Sequence, residues 1–555
     1  PPRSTQSRSS AASDVYKRQQ NTKFKNKLNN NRPASKAFKK ENNIKFVYNL
    51  IGLNDSRNIL KYLVILLTFF ILWPLFSLVK EGLYGIQKGS IYLTTANLNE
   101  IKGTLLLLIF SLTLGGFLGV TNGWILANCH FKGRKVLRVC QLIPFATPAY
   151  LLAATFIDLG SIYSIRITGM LWGVVIMAFT TYPYVFLLSS ESFEEGGRKQ
   201  IEACRTLGIG PWKSFFRISL PIAIPSITAG LALMAMEIIN ELGAVQLLNI
   251  PSISAGILES WVEEGEPSGA IALALFALLL VFSLVAIERK SRERSKRWTD
   301  GIISGNSPKW ELKGINLFLA QVITFTPPML TLGIPITWAV INIDQINQGF
   351  NTDLIGLTIR SFSLALVVSL ITIFISLILS ISKRWHNHQW LNIFTFLSGI
   401  GYAIPGSVLA LSLLSFKGSI WQVNILSLLI WGYSIRFLAV SKGGLDAGFE
   451  RISPNIDNAA INLGNNWSEV LFKIHLPLLK GPMLVGILLV FVDTIKELPL
   501  TFILRPFDFD TLSVRIFQYA GDERVAESIL PSLIIICLGL IASLALIPSL
   551  NNRNK

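Results

Sequence analysis

The sequence predicts an all-α polytopic membrane protein with about twelve transmembrane helices arranged as two parallel six-helix repeats, on three observations. The chain has 555 residues, 51% of them hydrophobic and 15% charged, with a mean hydropathy of +0.51, above the range of water-soluble domains. About twelve long apolar runs punctuate it. Its two halves resemble each other at a fixed offset, and such self-similarity reveals architecture before chemistry. A soluble globular enzyme is excluded.

Each run reads as a span because a bilayer core about 30 Å thick needs roughly 20 mostly apolar helical residues to cross it. In the first half the runs lie near 61–79, 104–127, 139–158, 169–189, 221–248 and 268–287. In the second they lie near 315–341, 357–381, 391–414, 420–440, 477–503 and 529–549. Pro327-Pro328 interrupts the 315–341 run and predicts a kink or a re-entrant bend there.

Charge sets the orientation. The net charge is +17, which raises the question of nucleic acid, but residues 1–61 hold 14 Lys/Arg against 3 Asp/Glu, so +11 sits in one polar tail. The remainder reads as a membrane protein with small basic loops, and no nucleic-acid partner is expected. Positively charged loops stay cytoplasmic, which puts the tail, the 128–138 loop with Lys132, Arg134, Lys135 and Arg138, and the basic 288–298 connector inside. The alternate loop 250–267 carries four Glu and no Lys or Arg. Both termini are therefore expected in the cytoplasm of a multi-pass inner-membrane protein, with the bilayer as its surroundings. The first apolar run lacks a small-residue cleavage site and is followed by more spans, so no cleavable signal is expected. The expected division is a disordered basic tail at 1–56, a first domain at 57–290, a cytoplasmic linker at 291–313 and a second domain at 314–555. The first twenty residues lack an initiator Met and are low-complexity; whether they are native is left open and nothing is built on them.

Four scattered cysteines without CxxC spacing and four histidines argue against a disulfide framework, a zinc site or a histidine-built metal site. No Gly-Lys dipeptide occurs, so a phosphate-binding Walker A loop is impossible and any ATP must be hydrolysed by another chain. No bound cofactor and no catalytic residue are expected.

The repeat works at an offset of 256, which maps Ala203 to Ala459, Gly208 to Gly464, Ile218 to Ile474, Leu220 to Leu476 and Pro221 to Pro477. At 257, Pro148, Leu152 and Ala153 map to Pro405, Leu409 and Ala410. An even number of spans per half makes the repeats parallel, related by an axis along the membrane normal. Glu202-Ala203-Cys204, then Gly208, Ile218 and Leu220-Pro221, resembles the EAA loop of permease subunits in binding-protein-dependent ABC importers. The second copy reads Asn458-Ala459-Ala460, Gly464, Ile474 and Leu476-Pro477, departing at Asn458 where that family has Glu. The resemblance implies MetI-like permease bundles, two loops that seat a cytoplasmic ABC ATPase dimer, and a periplasmic substrate-binding protein as the other partner.

The residues have their own physical reading. A short helix through Glu202 should stop at Gly208, which tolerates the left-handed conformation, and Pro211 suits the first turn of the next helix. That helix presents Trp212, Phe215 and Phe216, and the second copy Trp467, Val470 and Leu471, as an apolar face. Its cover is either the protein's own helices or a groove on a partner.

Lys496-Glu497-Leu498-Pro499 through Arg505-Pro506-Phe507-Asp508-Phe509-Asp510, with Asp522-Glu523-Arg524, resembles ferric-iron permeases, commonly one chain of two fused halves. Iron is therefore the expected cargo, with thiamine, polyamine or another small solute as the alternative. Asp508, Asp510, Asp522, Glu523 and Arg524 fall in an outer loop, where they either contact a binding protein or are simply solvated.

Within the fifth span of each half the repeat sets Glu237 over Asp493, Asn240 over Lys496 and Glu241 over Glu497. Ionisable groups at depth face protein or a water-filled cavity. Spacing of i, i+4 puts each pair on one helix face, and counting from Pro221 and Pro477 puts that face in the outer half of the membrane. These six residues either line a translocation route or form ion pairs around Lys496. A secondary transporter shares twelve spans and repeated halves but has no use for two EAA-like loops. A membrane-embedded enzyme would want a nucleophile with its base, and none is found.

Overall fold

A computed structural model describes residues 56–545 apart from 92, 196–203, 205, 266, 296–308, 346–351, 387 and 421–423. By contact density the chain divides at Tyr62–Leu63. Of the first unit only 56–62 are described, as the opening turns of one helix; the expected 1–56 tail lies otherwise outside the described residues, as does most of the 291–313 linker.

The described chain is almost entirely helical. The first half gives α1 (Ser56–Lys88), α2 (Thr95–Asn128), α3 (Arg134–Cys140), α4 (Ala149–Ile162), α5 (Met170–Glu195), α6 (Pro211–Asn240), α7 (Gly243–Leu247), α8 (Ile253–Leu258) and α9 (Pro267–Ser295). The second gives α10 (Ile315–Ile341), α11 (Thr352–Trp385), α12 (Gln389–Leu397), α13 (Gly406–Ile420), α14 (Ile425–Glu450), α15 (Pro454–Asn462), α16 (Trp467–Lys496), α17 (Pro499–Leu504), α18 (Leu512–Gly521) and α19 (Val525–Ala545). Two short strands, β1 (Cys129–His130) and β2 (Trp310–Glu311), pair in parallel. The starts of α2, α6 and α7 recur 257, 256 and 256 residues later at α11, α16 and α17.

Among the described residues nine helices are long and apolar enough to cross a bilayer, or eleven if each of two bent pairs counts as one span. The structure departs from the sequence expectation in three places. The 139–158 and 391–414 runs are not straight: the chain turns by 88° before α4 and by 111° before α13, because Pro148 and Pro405 each remove a helical N–H. The 221–248 and 477–503 runs stop at Asn240 and Lys496 and resume as α7 and α17. Finally, α10 continues as one helix through Pro327-Pro328, with no re-entrant break, and the Thr331 hydroxyl in the π turn that follows donates to the Pro327 carbonyl at 3.0 Å. Widened π turns at Phe215–Ser219, Met329–Gly333 and Leu471–His475 each end two residues before a proline, Pro221, Pro335 and Pro477. A proline cannot donate to the carbonyl one turn back and its ring pushes that carbonyl aside, which a wider turn accommodates.

Packing follows small residues. A Cβ at Gly119 of α2 would sit 2.7 Å from Val185 of α5, and one at Gly123 would sit 2.6 Å from the Ser189 hydroxyl. With Gly115 they form a four-residue-spaced stripe of the kind that lets membrane helices approach closely. The same positions in α11 hold Thr372, Ser376 and Ser380, all buried.

The first helix of each half packs on the other half. Val64, Ile71, Leu75 and Leu78 of α1 share a buried cluster with Val408, Leu428 and Leu429, and Phe70 stacks on Trp431 at 4.2 Å. Reciprocally, Ala320 of α10 is buried with Trp124, Tyr182 and Phe186. Gln141 donates to the Thr324 carbonyl at 2.6 Å and the Trp338 indole to Asp158 at 2.7 Å. This exchange explains why residues from Leu63 onward form one contact unit. The chain cut in the linker and expressed as 1–300 with 301–555 is expected to co-purify from membranes as a pair; recovery of the two pieces separately would contradict the reciprocal packing.

Candidate functional site

At the ends of α6 and α16 the backbone leaves the helix in the same way. Glu241 has φ −67°, ψ 124° and Glu497 has φ −68°, ψ 126°, so these two carboxylates do not continue the helix faces of Glu237 and Asp493 as their spacing suggested. Each instead caps the short helix that follows. Glu241 accepts the Ala244 N–H at 2.9 Å, and Glu497 accepts the Leu500 N–H at 3.4 Å.

A cavity of about 740 Å³, counting its space open to solvent, lies between these ends. All six residues singled out in the sequence, Glu237, Asn240, Glu241, Asp493, Lys496 and Glu497, line it, and both bent spans contribute its walls. Four carboxylates thus face two cations, Lys496 and Arg436. Lys496 lies 2.9 Å from Asp493, so the ion pair anticipated from the sequence exists inside the cavity. Arg436 of α14 faces Glu497 at 3.4 Å. The halves meet here: Gly406, the first residue of α13, donates its N–H to the Asn240 side chain at 2.6 Å, and the Tyr184 and Tyr402 hydroxyls stand 3.4 Å apart. The Tyr150 hydroxyl, also in the wall, is buried without a hydrogen-bond partner, a costly arrangement that leaves one donor free for a guest. Sequence reasoning missed Arg436, Tyr150, Tyr184 and Tyr402. Arg436 had a signal, being an ionisable residue inside the 420–440 apolar run; the tyrosines had none.

The two EAA-like loops have matching geometry where both are described. Glu202 and Ala203 lie outside the described residues. Gly208 and Gly464 adopt φ of +71° and +90°, and a backbone bond closes each turn, Ile209 N–H to the Cys204 carbonyl at 2.9 Å and Asn465 N–H to Ala460 at 3.1 Å. Asn458, Ala459 and Ala460 sit on α15, whose Asp457 anchors it through Arg384 at 3.0 Å and the buried His475 at 2.9 Å. Pro211 opens α6, and a capping box of Asn466 with Glu469 opens α16. The apolar face divides. Phe215 turns inward against Trp124 and Phe193, Val470 is fully buried, Leu471 is half-buried, and Trp212 and Trp467 lean on Trp124 and Trp385. What faces outward is Trp212, 67% exposed despite its contact with Trp124, with Leu207 and Phe216, 76% and 60% exposed, and in the second copy Leu463 with Phe472, 83% and 67% exposed. Phe216 was already named from the sequence; Leu207, Leu463 and Phe472 were not, and the identity of Leu207 with Leu463 and of Phe216 with Phe472 at the 256 offset is the signal that could have found them.

The outer loop expected from the sequence is divided by α18: Asp508 precedes that helix and Asp522 and Glu523 follow it, and all three are exposed, Glu523 with φ +57°. Arg524 pairs with Glu527 at 2.8 Å. Asp510 turns inward, held by Arg505 and by Arg515 at 2.9 Å. Burial, with Arg515 close by, lowers the affinity of the Arg505 guanidinium for its proton.

Residues 119–294 match the family described as the binding-protein-dependent transport system inner membrane component. The sulfate transport system permease protein CysT of Escherichia coli is 30% identical over 213 residues, 35% of this chain and 77% of that protein. The chain belongs to the binding-protein-dependent transport permease family. As such it is a multi-pass inner-membrane permease subunit. The Fe(3+)-transport system permease protein FbpB 2 of Haemophilus influenzae is 24% identical over 471 residues, 82% of this permease and 90% of that protein. The molybdenum transport system permease protein ModB of Escherichia coli is 29% identical over 230 residues, 36% of this permease and 96% of its own length.

The Asn240–Gly406 bond joins the two halves at the cavity. Asn240→Ala leaves a buried N–H unpaired, with an expected cost of about 1–3 kcal/mol, read as a lowered midpoint for thermal unfolding in detergent; an unchanged midpoint would contradict the bond.

Proposed function

We propose that this permease carries ferric iron from a periplasmic binding protein to the cytoplasm, driven by a separate ABC ATPase dimer seated on the two EAA-like loops. The observation that carries the substrate reading is the cavity's charge, four carboxylates against two cations. Carboxylate oxygen is the ligand type hard cations prefer, and an oxyanion such as sulfate or molybdate would be repelled by the same groups. The extent of similarity supports it: the ferric-iron permease aligns over 82% of this chain, the sulfate and molybdenum permeases over 35% and 36%.

The mechanism follows from the parts. Closure of two ATPase subunits pushes both loops together, and because α6 and α16 run unbroken from loop to cavity, about 45 Å at 30 residues each, the push reaches the cavity wall. The two parallel bundles rock about the fixed site and expose it alternately to each side. Both termini and both loops are then cytoplasmic, and the segments on either side of α18, bearing Asp508, Asp522 and Glu523, face the binding protein.

Radiolabelled ferric iron taken up by reconstituted vesicles, undiminished by excess sulfate, molybdate, thiamine or polyamine, is the expected result; uptake of one of those competitors in place of iron would overturn the substrate assignment. Asp493→Asn with Glu237→Gln should abolish that uptake at normal membrane abundance, and a wild-type rate would refute the route. Phe216→Glu with Phe472→Glu, charging the two outward-facing rings, should abolish co-purification of the ATPase, whereas full stoichiometry would refute the docking assignment.

A further inference from the structure

The cavity's charges are unevenly committed. Asp493 is held by Lys496 at 2.9 Å and Glu497 by Arg436, while no ion pair engages Glu237 or Glu241 among the described residues. Two uncommitted carboxylates balance a divalent charge; a trivalent ion needs a third. No three acidic side chains among the described residues are grouped closely enough to hold a metal as they stand, so the third must be recruited. Glu497 is the looser of the two held carboxylates. Its contact with Arg436 is 3.4 Å, and the Arg436 Nε engaged in it has no hydrogen-bond partner.

Arg436 has a second attachment. Its Nη1 donates to the Ile404 carbonyl at 2.7 Å, the last carbonyl before Pro405, where the chain turns by 111°. On the far side of that proline the Gly406 N–H goes to Asn240. A bend frees backbone groups that hydrocarbon cannot satisfy, and here one is held by Arg436 and the other by the opposite half. Arg436 is 2% exposed, and the position matching it in the first half at the 256 offset is Thr180, so this connection exists once, in the second half.

We propose that Arg436 is the cavity's resident counter-ion: it holds Glu497 while the cavity is empty, and a trivalent metal ion takes Glu497 from it, loosening the guanidinium at the bend. Arg436 is thus a positioning residue that reports cargo to the backbone of the bent span. The inference rests on the ferric-iron reading.

The test uses the permease reconstituted in vesicles with its ATPase and binding protein, reading radiolabelled ferric-iron uptake and ATP hydrolysis without cargo. Arg436→Gln should raise cargo-free hydrolysis about fivefold or more, the lower range of ordinary coupling between sites, and depress uptake. Arg436→Lys, which keeps the charge, should restore low cargo-free hydrolysis. Because Arg436→Gln strands a buried carboxylate, which opposes insertion, Arg436→Gln with Glu497→Gln removes both charges. This pair should also hydrolyse without cargo, at normal abundance. Wild-type uptake and wild-type control of hydrolysis in the double variant would overturn the counter-ion role alone. If the unaltered permease moved sulfate or molybdate and no iron, the substrate reading would fall first, and the recruitment of a third carboxylate with it.

Discussion

The constraint on which the structure depends is the cost of keeping charged and polar groups away from water. An ionisable side chain at the centre of a bilayer costs about 2.5–3.5 kcal/mol on insertion scales, and an unsatisfied backbone group costs several more. The cavity concentrates both problems and solves each with the other. Helices α6 and α16 end there, and the carboxylates just past their ends cap α7 and α17. The bend before α13 frees a carbonyl and an N–H, and a guanidinium and an amide from the neighbouring elements take them. Polar residues that look expensive one at a time are thereby made into a connected site that spans both halves.

The same economy explains why residues of the two halves from Leu63 onward form one contact unit. Each half surrenders its first helix to the other, with apolar contacts on one side and the Gln141 and Asp158 hydrogen bonds on the other. Between α2 and α5 the glycine stripe brings backbones close, and α11 uses hydroxyl-bearing small residues at the same positions. Close-packed walls suit the proposed rocking of whole bundles, since a soft wall would absorb displacement before it reached the cavity.

Much of this was legible in the sequence, and the reasons are specific. Gly208 and Gly464 announced their left-handed turns because few other residues tolerate them, and Pro211 announced a helix start because its φ is already set. The six cavity residues were legible because charge inside an apolar run has few explanations. The bends were not, since Pro148 and Pro405 sit in runs long enough to cross as straight helices, and hydropathy carries no angle. Nor was the departure of Glu241 and Glu497 from their helices, because i, i+4 spacing assumes a helix that continues. Pro327-Pro328 left a kink and a re-entrant bend open, and the helix running on through both removes the second. The outward pairs Leu207 with Phe216 and Leu463 with Phe472 were recorded in the repeat, but hydropathy alone does not separate an inward ring such as Phe215 from its outward neighbour.

The central claim is that one cavity opens alternately to the two sides of the membrane. A single cysteine at position 237, in a chain whose four native cysteines are replaced, reports it through labelling by a membrane-impermeant thiol reagent added to either side. The account predicts labelling from one side without nucleotide and from the other with ATP trapped in the ATPase. Labelling from the same side in both states, or from neither, would contradict it.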